Sequence, residues 1–290
     1  MLLHRFLIQD FPMKDMARFI AVVLFLLCTM YMCYARPTVT VGTQVVPAQR
    51  IPIDQISHAT WSNLLKKHVD SMGMVDYQTW LATPLDLESL DSYLNHLSSA
   101  TLSPQSAKNI TLAYWINAYN AVTIKGILRE YPTTSIKNHD SKFFGYKIWD
   151  DLQLWVADDS YSLNHIEHKI LRPMQEPRIH FAIVCASKGC PRLLDEAYVG
   201  QKLDQQLRTN AEVFFANKNN LQFDTSRKTI FISKILSWFG NDFGKTTADQ
   251  MRRIAPLLPE SARKLAESKN TQVHYLEYDW DLNDQSQTPP

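Results

Sequence analysis

The chain has almost no excess of charge, since its 290 residues include 30 basic and 29 acidic side chains and carry a formal net charge of +1. No block of like charges stands out either. This absence argues against a nucleic-acid-binding protein, which needs a basic surface. The hydrophobic fraction of 45% is instead typical of a protein with a well-packed globular core.

Cysteine is also scarce, with four residues in the whole chain. Two of them, Cys28 and Cys33, lie in an apolar N-terminal run, which leaves Cys185 and Cys190 as the cysteines expected in the mature protein. Their spacing differs from the Cys-x-x-Cys motif of thiol oxidoreductases, and this makes a redox function less favoured. Any thiol chemistry of the mature protein is therefore expected between these two residues.

The N-terminus is typical of a targeting segment. Lys14 and Arg18 precede an apolar run at 19–35 that ends in the small residue Ala35, which is the pattern of a secretory signal peptide. An uncleaved membrane anchor is the alternative, because the run is about as long as the shortest membrane-spanning helices. We expect a secreted or periplasmic protein, or a membrane-anchored one if residues 1–35 are retained, with no other membrane contact.

The rest of the chain is predicted to form one domain. Residues 36–53 contain three prolines and no helical periodicity, so they are expected to form an extended tether. A single globular domain is predicted at 54–284 and a short tail at 285–290. No internal repeat and no low-complexity linker divides the predicted domain.

Hydrophobic periodicity predicts that this domain is rich in helix. Helices are expected at 59–69, 85–97, 106–130, 162–171, 203–217, 235–243, 248–254 and 260–267. Strands are expected as hairpins at 146–149 with 152–157 and at 221–223 with 229–232, and singly at 179–184 and 272–280. The predicted fold class is α+β, helix-rich, with a small and mostly antiparallel sheet.

The cysteine turn is the main candidate for chemistry. Cys185 follows the predicted strand and precedes a turn with Lys188 and a glycine, where a thiol with a lowered pKa can act as a nucleophile. His180 is a candidate base, although an odd separation on a strand places it on the face opposite Cys185. A Cys185–Cys190 disulfide that clamps the turn is an open alternative in an oxidising compartment, and two inert buried thiols are a third.

A metal site is not expected. His165, Glu167 and His168 are similar at first sight to the helix of an inverted zinc peptidase. That motif needs a histidine where this chain has Asn164, and no third ligand is marked elsewhere in the sequence. We therefore predict neither a metal nor another cofactor.

Two asparagines stand out in an otherwise apolar helix. Asn117 and Asn120 must find hydrogen-bond partners, because an unpaired buried amide costs about 1–3 kcal/mol. They either tie neighbouring loops to the core or orient a substrate or a catalytic side chain. Arg178 and Arg192 are candidate ligands for an anionic group of a substrate, with ordinary solvated surface charges as the alternative.

Several motifs occur together in the order of one known family. They are WINAYNA at 115–121, SLNHIEH at 162–168, RIHFA at 178–182, CAS at 185–187, GCP at 189–191 and YDWDLN at 278–283. Through them the chain resembles the domain of unknown function 547 family over roughly residues 54–283.

The resemblance implies a location more than an activity, since the activity of that family is not established. Bacterial members are secreted or periplasmic, which agrees with the predicted signal peptide, so the resemblance implies a member of this type. Plant relatives often have serine where Cys190 stands. The resemblance therefore favours Cys185 as the more important of the two thiols.

Three functions remain open from the sequence. The leading hypothesis is an extracytoplasmic hydrolase or acyl transferase with Cys185 as nucleophile, His180 or His168 as base, and the Asn117 helix orienting the site. The rival is a non-catalytic binding or scaffold domain in which a Cys185–Cys190 disulfide rigidifies a recognition loop. A thiol–disulfide exchange partner is the third, and the sequence indicates no particular partner protein.

Overall fold

The computed structural model describes residues 20, 22–23, 38–140 and 146–287. The predicted signal peptide or anchor lies almost wholly outside these residues. Among them, no helix combines the length and the apolar character that a membrane crossing requires.

Helices make up most of the described chain. The first are α1 (Ala59–His68), α2 (Tyr77–Leu81), α3 (Pro84–Ser98), α4 (Lys108–Glu130), α5 (Ile148–Asp151) and α6 (Leu163–His165), which continues as a π-helical turn at Ile166–Leu171. Those after the cysteine turn are α7 (Leu203–Ala216), α8 (Ile235–Trp238), α9 (Gly240–Phe243), α10 (Thr247–Ile254) and α11 (Glu260–Glu267). The helix-rich prediction is confirmed.

The strands are short and form three small sheets in the described residues. They are β1 (Val39–Val41), β2 (Ile51–Pro52), β3 (Ala100–Thr101), β4 (Leu152–Val156), β5 (Asp159–Ser162), β6 (Leu221–Asp224), β7 (Thr229–Ile232) and β8 (Gln272–Tyr275). The sheet orders are β1-β4-β5, β2-β3 and β6-β7-β8. The α+β class is confirmed, but the pairing is mixed instead of mostly antiparallel, since only β4-β5 and β6-β7 are antiparallel.

The segment predicted as a tether is structured from residue 38 onward. β1 pairs in parallel with β4, and β2 pairs in parallel with β3. Arg50 also donates two hydrogen bonds to the carboxylate of Asp158. These contacts hold this part of the segment against the domain instead of leaving it extended and free.

Helix α4 is the centre of the larger hydrophobic cluster. All its residues from Leu112 to Ile124 are buried, as expected for a helix that is apolar nearly all round. It ends at Glu130, immediately before the Tyr131-Pro132 pair, because the residue before a proline disfavours the helical conformation. Ser162 caps α6, because its hydroxyl accepts a hydrogen bond from the backbone N–H of His165.

Two strand predictions near the cysteines are wrong. Residues 146–149 do not form half of a hairpin, because α5 occupies Ile148–Asp151 and the hairpin consists of β4 and β5. Residues 179–184 do not form a strand either. A 3₁₀-helix spans Pro177–Phe181, and an irregular buried segment continues from it to Cys185.

The irregular segment passes between two hydrophobic clusters. Val184 and Ala186 belong to the cluster around α4, whereas Phe181 belongs to a second cluster built from α7 to α11 and the β6-β7-β8 sheet. The segment is buried on both sides, so the cysteine turn that follows it begins at a fixed position.

Candidate active site

Asn120 holds the segment that leads to the cysteines. Its Nδ2 donates to the carbonyl of Ala182, and its Oδ1 accepts from the backbone N–H of Val184, both at 3.0 Å. One side chain thus satisfies backbone groups that a neighbouring strand would otherwise bind. This is the physical reason why an apolar run of strand-like sequence remains irregular here.

The C-terminal segment fixes the other side of the turn. The backbone N–H of Lys188 donates to the carbonyl of Asp281, and that of Gly189 donates to the carbonyl of Asp279. A Cβ on Gly189 would lie 2.8 Å from the Asp279 carbonyl oxygen, so only glycine fits at this close approach. The turn and the C-terminal motif therefore form one unit.

Ala186, directly after Cys185, has a φ of 56°. A residue with a Cβ rarely adopts this left-handed conformation, which costs about 1–2 kcal/mol relative to the right-handed one. Its backbone N–H and carbonyl belong to a buried turn, and the carbonyl accepts from the N–H of Asn283. The surrounding structure thus imposes a strained backbone beside a nucleophilic side chain.

The two cysteine sulfurs are in direct contact. Cys185 Sγ and Cys190 Sγ lie 2.6 Å apart, and both residues are free thiols. A disulfide bond is about 2.03–2.05 Å long, so the predicted Cys185–Cys190 disulfide is not present in the structure. Both side chains are partly exposed.

Cys190 is the hydrogen-bond acceptor of the pair. Its sulfur accepts from the backbone N–H of Cys185 at 3.0 Å, and the hydroxyls of Tyr278 and Ser187 lie 3.1 and 3.4 Å from it. Burial alone raises the pKa of Cys190, but the hydrogen bonds from Cys185, Ser187 and Tyr278 outweigh burial and lower this pKa to about 6. Cys190 is therefore the thiolate at neutral pH.

Cys185 and Tyr278 keep their protons. The hydrogen bond to Cys190 raises the pKa of Cys185 well above its usual value, and burial raises it further. Burial, followed by the nearby cysteine charges, also raises the pKa of Tyr278, whose hydroxyl lies 3.2 Å from Cys185 Sγ. The geometry thus reverses the expectation from the sequence that Cys185 is the activated thiol.

Both cysteines line a cleft of about 360 Å³. Polar and aromatic side chains from several distant parts of the chain share this cleft. Those that matter below are Tyr119, Asp140, Lys147, Trp149, Asp150, Glu167, His168, His180, Cys185, Cys190, Trp238, Phe239, Tyr278 and Trp280. A concave site that brings reactive and aromatic groups together is the usual form of a small-ligand site.

Glu167 is a buried acid in this cleft. It stands on the π-helical turn, a rare element that is frequent at functional sites. Its Oε2 accepts a hydrogen bond from the Tyr119 hydroxyl at 3.4 Å. Burial raises the pKa of Glu167 to about 7 against the weaker lowering effects of Tyr119 and Arg172, so the carboxyl can take up or release a proton near neutral pH.

A polar chain along the cleft joins its two histidines. Arg172 donates to both carboxylate oxygens of Asp242, and Asp242 Oδ2 lies 2.8 Å from His180 Nε2. Arg172 Nη1 also lies 3.1 Å from His168 Nδ1. A guanidinium only donates hydrogen bonds, so neutral His168 carries its proton on Nε2.

Burial is the main reason why both histidines favour the neutral form. Burial lowers the pKa of His180 against the opposing effect of Asp242, and burial together with Arg172 lowers the pKa of His168. Burial would raise the pKa of Asp242, but hydrogen bonds from His180 and Arg172 outweigh it and hold this pKa well below its usual range. His180 also stacks on Phe239, with ring centroids 4.2 Å apart.

Asn117 lies outside the cleft. Its Nδ2 donates to the carbonyl of Tyr198 and its Oδ1 accepts from the N–H of the same residue, at 2.8 and 2.9 Å. Asn120 likewise spends its hydrogen bonds on the backbone before Cys185. Both amides thus tie loops to the core, and Asn120 also positions the cysteine turn.

The two arginines predicted as substrate ligands also lie away from the cleft. Arg178 pairs with Glu176 through two hydrogen bonds and with Asp204 through an ion pair. Arg192 donates to the Asn210 side chain and to the carbonyl of Ser71. Their charges are engaged by protein groups, which explains their positions without a substrate.

No metal site is visible in the described ranges 38–140 and 146–287. There, no three His, Cys, Asp or Glu side chains converge in a way that could hold a metal ion. His165 contacts the ring of Tyr161 and does not line the cleft with His168.

The structure brings together residues that the sequence did not connect. Cys185, Cys190, His168 and His180 share the cleft, as the sequence hypotheses require. Tyr119, Glu167, Asp242 and Tyr278 complete the site but were not predicted as site residues. Membership in the family motifs was the available signal for three of them, since Tyr119 belongs to WINAYNA, Glu167 to SLNHIEH and Tyr278 to YDWDLN.

The fold and the site define a helix-rich α+β protein with two contacting thiols in an aromatic-lined cleft. Residues 103–215 match the model of the family described as Protein of unknown function, DUF547, which supports the resemblance of the sequence motifs. The matched range includes α4, the π-helical turn and both cysteines. The comparison with curated proteins found no match, and neither did the comparison with solved structures.

Proposed function

We propose that the protein is a dithiol–disulfide oxidoreductase in which Cys190 attacks and Cys185 resolves. The observation that carries this proposal is the 2.6 Å contact between the two sulfurs at the wall of a cleft. The stabilised thiolate at Cys190 supports it, because disulfide exchange needs a thiolate as the attacking group. The contact also supports a redox function although the spacing of Cys185 and Cys190 differs from the Cys-x-x-Cys motif.

The first step forms a mixed disulfide. The Cys190 thiolate attacks one sulfur of a substrate disulfide, a bond forms between these two atoms, and the substrate S–S bond breaks. The other substrate sulfur leaves as a thiolate. The backbone N–H of Cys185 and the Tyr278 hydroxyl hold the attacking sulfur in place.

The second step releases the substrate. Cys185 loses its proton and attacks Cys190 Sγ, so that the Cys185–Cys190 bond forms and the mixed disulfide breaks. The dithiol thereby loses two electrons, which the two substrate thiolates have gained. The reverse sequence oxidises a substrate dithiol.

Glu167 is the acceptor for the Cys185 proton in this proposal. The high pKa of Cys185 means that its thiol needs a base, and Glu167 lines the same cleft with a pKa of about 7. An extracytoplasmic location fits this chemistry, since disulfide substrates persist there, and the N-terminal apolar run supports such a location.

Trapping the mixed disulfide tests the order of attack. The reduced protein is mixed with hydroxyethyl disulfide, a small neutral substrate, and adducts are identified by mass spectrometry. Cys185→Ser should accumulate an adduct on Cys190, because the resolving thiol is missing. Cys190→Ser should accumulate none, and the wild type should form the internal disulfide and release two equivalents of thiol. A stable adduct on Cys185 alone, or no reaction of the wild type, contradicts the proposal.

One observation favours a second candidate, the cysteine-dependent hydrolase or acyl transferase. His180 lines the same cleft and is hydrogen-bonded to Asp242, which has the form of a base held by a carboxylate. It ranks second because of the partners of the two sulfurs. Among the described residues, the sulfurs contact each other and form hydrogen bonds with Ser187, Tyr278 and the backbone N–H of Cys185, but not with a histidine. Ester or amide turnover that survives Cys190→Ser and is lost in Cys185→Ser would favour it.

A further inference from the structure

One wall of the cleft is aromatic. It consists of Trp149, Trp238, Phe239, Tyr278 and Trp280, which we call the aromatic wall. The rings of Trp238, Tyr278 and Trp280 contact one another, with centroids 4.8 Å apart for Trp238 and Tyr278, 4.6 Å for Tyr278 and Trp280, and 5.7 Å for Trp238 and Trp280. Trp149 meets Trp280 edge to face at 6.5 Å. Packing among the rings of Trp149, Trp238, Tyr278 and Trp280 makes this part of the wall one continuous surface.

Tyr278 connects this surface to the reacting atoms. Its ring belongs to the wall, while its hydroxyl lies 3.2 Å from Cys185 Sγ and 3.1 Å from Cys190 Sγ. A substrate group that is bonded to Cys190 in a mixed disulfide is therefore held about one side chain away from the wall. The wall is in the right place to contact the residue next to the substrate cysteine.

Trp238 leaves much of its indole uncovered. It stands on the single-turn helix α8 and is 43% exposed, whereas the other four residues of the aromatic wall are partly buried. An exposed aromatic surface of this kind, beside a cavity, gains free energy when an apolar group covers it. The remaining area is thus available to a bound side chain.

The charges of the cleft disfavour an anionic substrate. Its lining includes the carboxyl groups of Asp140, Asp150 and Glu167 against the ammonium group of Lys147, and Lys137 Nζ lies 4.9 Å from the centroid of the Trp280 ring. The lining histidines are neutral, because burial lowers their pKa values. An anionic substrate would meet more carboxyl groups than ammonium groups here, whereas a neutral substrate meets no repulsion and a cationic one meets mostly opposite charge.

We propose that the aromatic wall binds an aromatic or large apolar side chain adjacent to the reacting cysteine of a neutral or cationic peptide disulfide. This inference rests on the proposed function. The cleft volume of about 360 Å³ lies near the lower end of ligand pockets, so it holds a few residues of an extended or unfolded peptide. Selectivity then comes from the residue beside the cysteine, and reactivity comes from the dithiol.

The test compares matched peptide disulfides. Short peptides with blocked ends, oxidised to symmetric disulfides, carry Trp, Leu, Gly or Glu next to the cysteine, and hydroxyethyl disulfide serves as the reference. In a single turnover of the reduced protein, the wild type should favour Trp over Gly by at least about 10-fold in the second-order rate constant of peptide reduction, mainly through tighter binding of the Trp peptide. The Glu peptide should react most slowly.

Substitutions at the aromatic wall should lower the preference for the Trp peptide over the Gly peptide. Trp238→Ala should reduce the Trp-over-Gly ratio to less than about 3-fold, and Trp238→Phe should retain most of it because an aromatic ring remains. The Trp-over-Gly ratio is measured within each variant, so a change in thiol reactivity that affects both peptides equally does not alter it. Phe231→Ala is the matched control, since Phe231 is 38% exposed on β7 and does not line the cleft.

The outcomes separate the two proposals. If the wild type does not reduce hydroxyethyl disulfide, the oxidoreductase function fails and the inference fails with it. If that reduction occurs but the Trp-over-Gly ratio is the same in the wild type and in folded Trp238→Ala, only the inference is overturned. A preference for the Glu peptide overturns it as well.

Discussion

Asn117 and Asn120 are completely buried and bind only the main chain, whereas Cys185 and Cys190 are half-buried and bind each other and nearby hydroxyls. Each asparagine donates one hydrogen bond to a carbonyl and accepts one from an N–H group. The cysteine pair instead shares Tyr278 as a partner and borders a cleft. These two polar pairs are neighbours in the fold but have opposite hydrogen-bonding arrangements.

The difference separates structural polar groups from reactive ones. An asparagine amide that already binds one carbonyl and one N–H group in the core has little hydrogen-bonding capacity left for a substrate. Its backbone partners also do not change their protonation state near neutral pH. A thiol surrounded by ionisable or hydroxyl groups can change its protonation state and its covalent partner. Burial alone would have ranked the asparagines first, and the identity of their partners ranks them below the cysteines.

The largest expected effect is on folding, at Asn117. Asn117→Ala leaves the buried N–H and carbonyl of Tyr198 without partners, at about 1–3 kcal/mol each, so it should lower the free energy of unfolding by about 4 kcal/mol. Urea denaturation measures this loss. Asn109→Ala is the control, because Asn109 is exposed on the same helix and its replacement should change stability by less than about 0.5 kcal/mol. A loss of unfolding free energy below 1 kcal/mol for Asn117→Ala would contradict the structural role of this asparagine.

The second effect tests the buried acid of the cleft. Glu167 has a folded-state pKa of about 7 against 4.5 for an ordinary Glu, so folding favours its protonated form. The stability from this group is present below about pH 4.5 and is lost as the pH rises to about 7. At about 1.4 kcal/mol per pKa unit, the wild type should lose about 3 kcal/mol more than Glu167→Gln over this window. Unfolding free energies of both proteins at several pH values measure the difference.

Glu176→Gln is the matched control for Glu167→Gln. Burial would raise the pKa of Glu176, but its hydrogen bonds with Arg178 outweigh burial and lower it. The contribution of Glu176 is therefore present above pH 4.5 and lost as the pH falls below it. Glu176→Gln should destabilise the protein almost equally from pH 5 to pH 8. If the curves of wild type and Glu167→Gln run parallel over that range, Glu167 has no raised pKa.

Periodicity predicted the helices well because each buries a face or is buried entirely. Helix α4 is the clearest case, since its apolar run and the proline after it determine its extent. The run at 179–184 shows the limit of this reasoning. Its apolar residues fit a strand, but the side chains of Asn120 and Asn210 bind its backbone and replace a neighbouring strand. The sequence around residues 179–184 does not indicate these partners, because Asn120 and Asn210 are distant from it in the chain.

The site was predictable where its residues are close in sequence. The cysteine turn and His168 belong to recognisable motifs, whereas Asp242 reaches His180 only through tertiary packing. The choice between the two thiols was not predictable, because it depends on the hydroxyl of Tyr278 and on the backbone N–H of Cys185. Which hydrogen-bond donors reach each sulfur is decided only when the turn has folded.

The third prediction concerns the thiol that reacts. With a pKa of about 6, Cys190 is mostly thiolate at pH 7, whereas a thiol with a pKa near 9 is about 1% ionised. Cys190→Ser should therefore slow alkylation by iodoacetamide at pH 7 on the order of 10-fold, because the lower intrinsic nucleophilicity of a low-pKa thiolate offsets part of the difference in thiolate fraction. The pH dependence of the wild-type rate should have its midpoint near 6. A midpoint above 8 would show that the turn does not stabilise the thiolate.

The smallest expected effect is at Arg192, which lies on the far side of the turn from the cleft. Its guanidinium binds the Asn210 side chain and the Ser71 carbonyl, so Arg192→Ala should cost about 1–2 kcal/mol of stability through two lost hydrogen bonds. The alkylation rate of Cys190 should change less than about 2-fold, because Arg192 contributes no donor to either sulfur. A larger change at constant fold would mean that this arginine acts on the thiols after all. It would then belong with the cysteines and not with the asparagines, although its partners are those of a structural group.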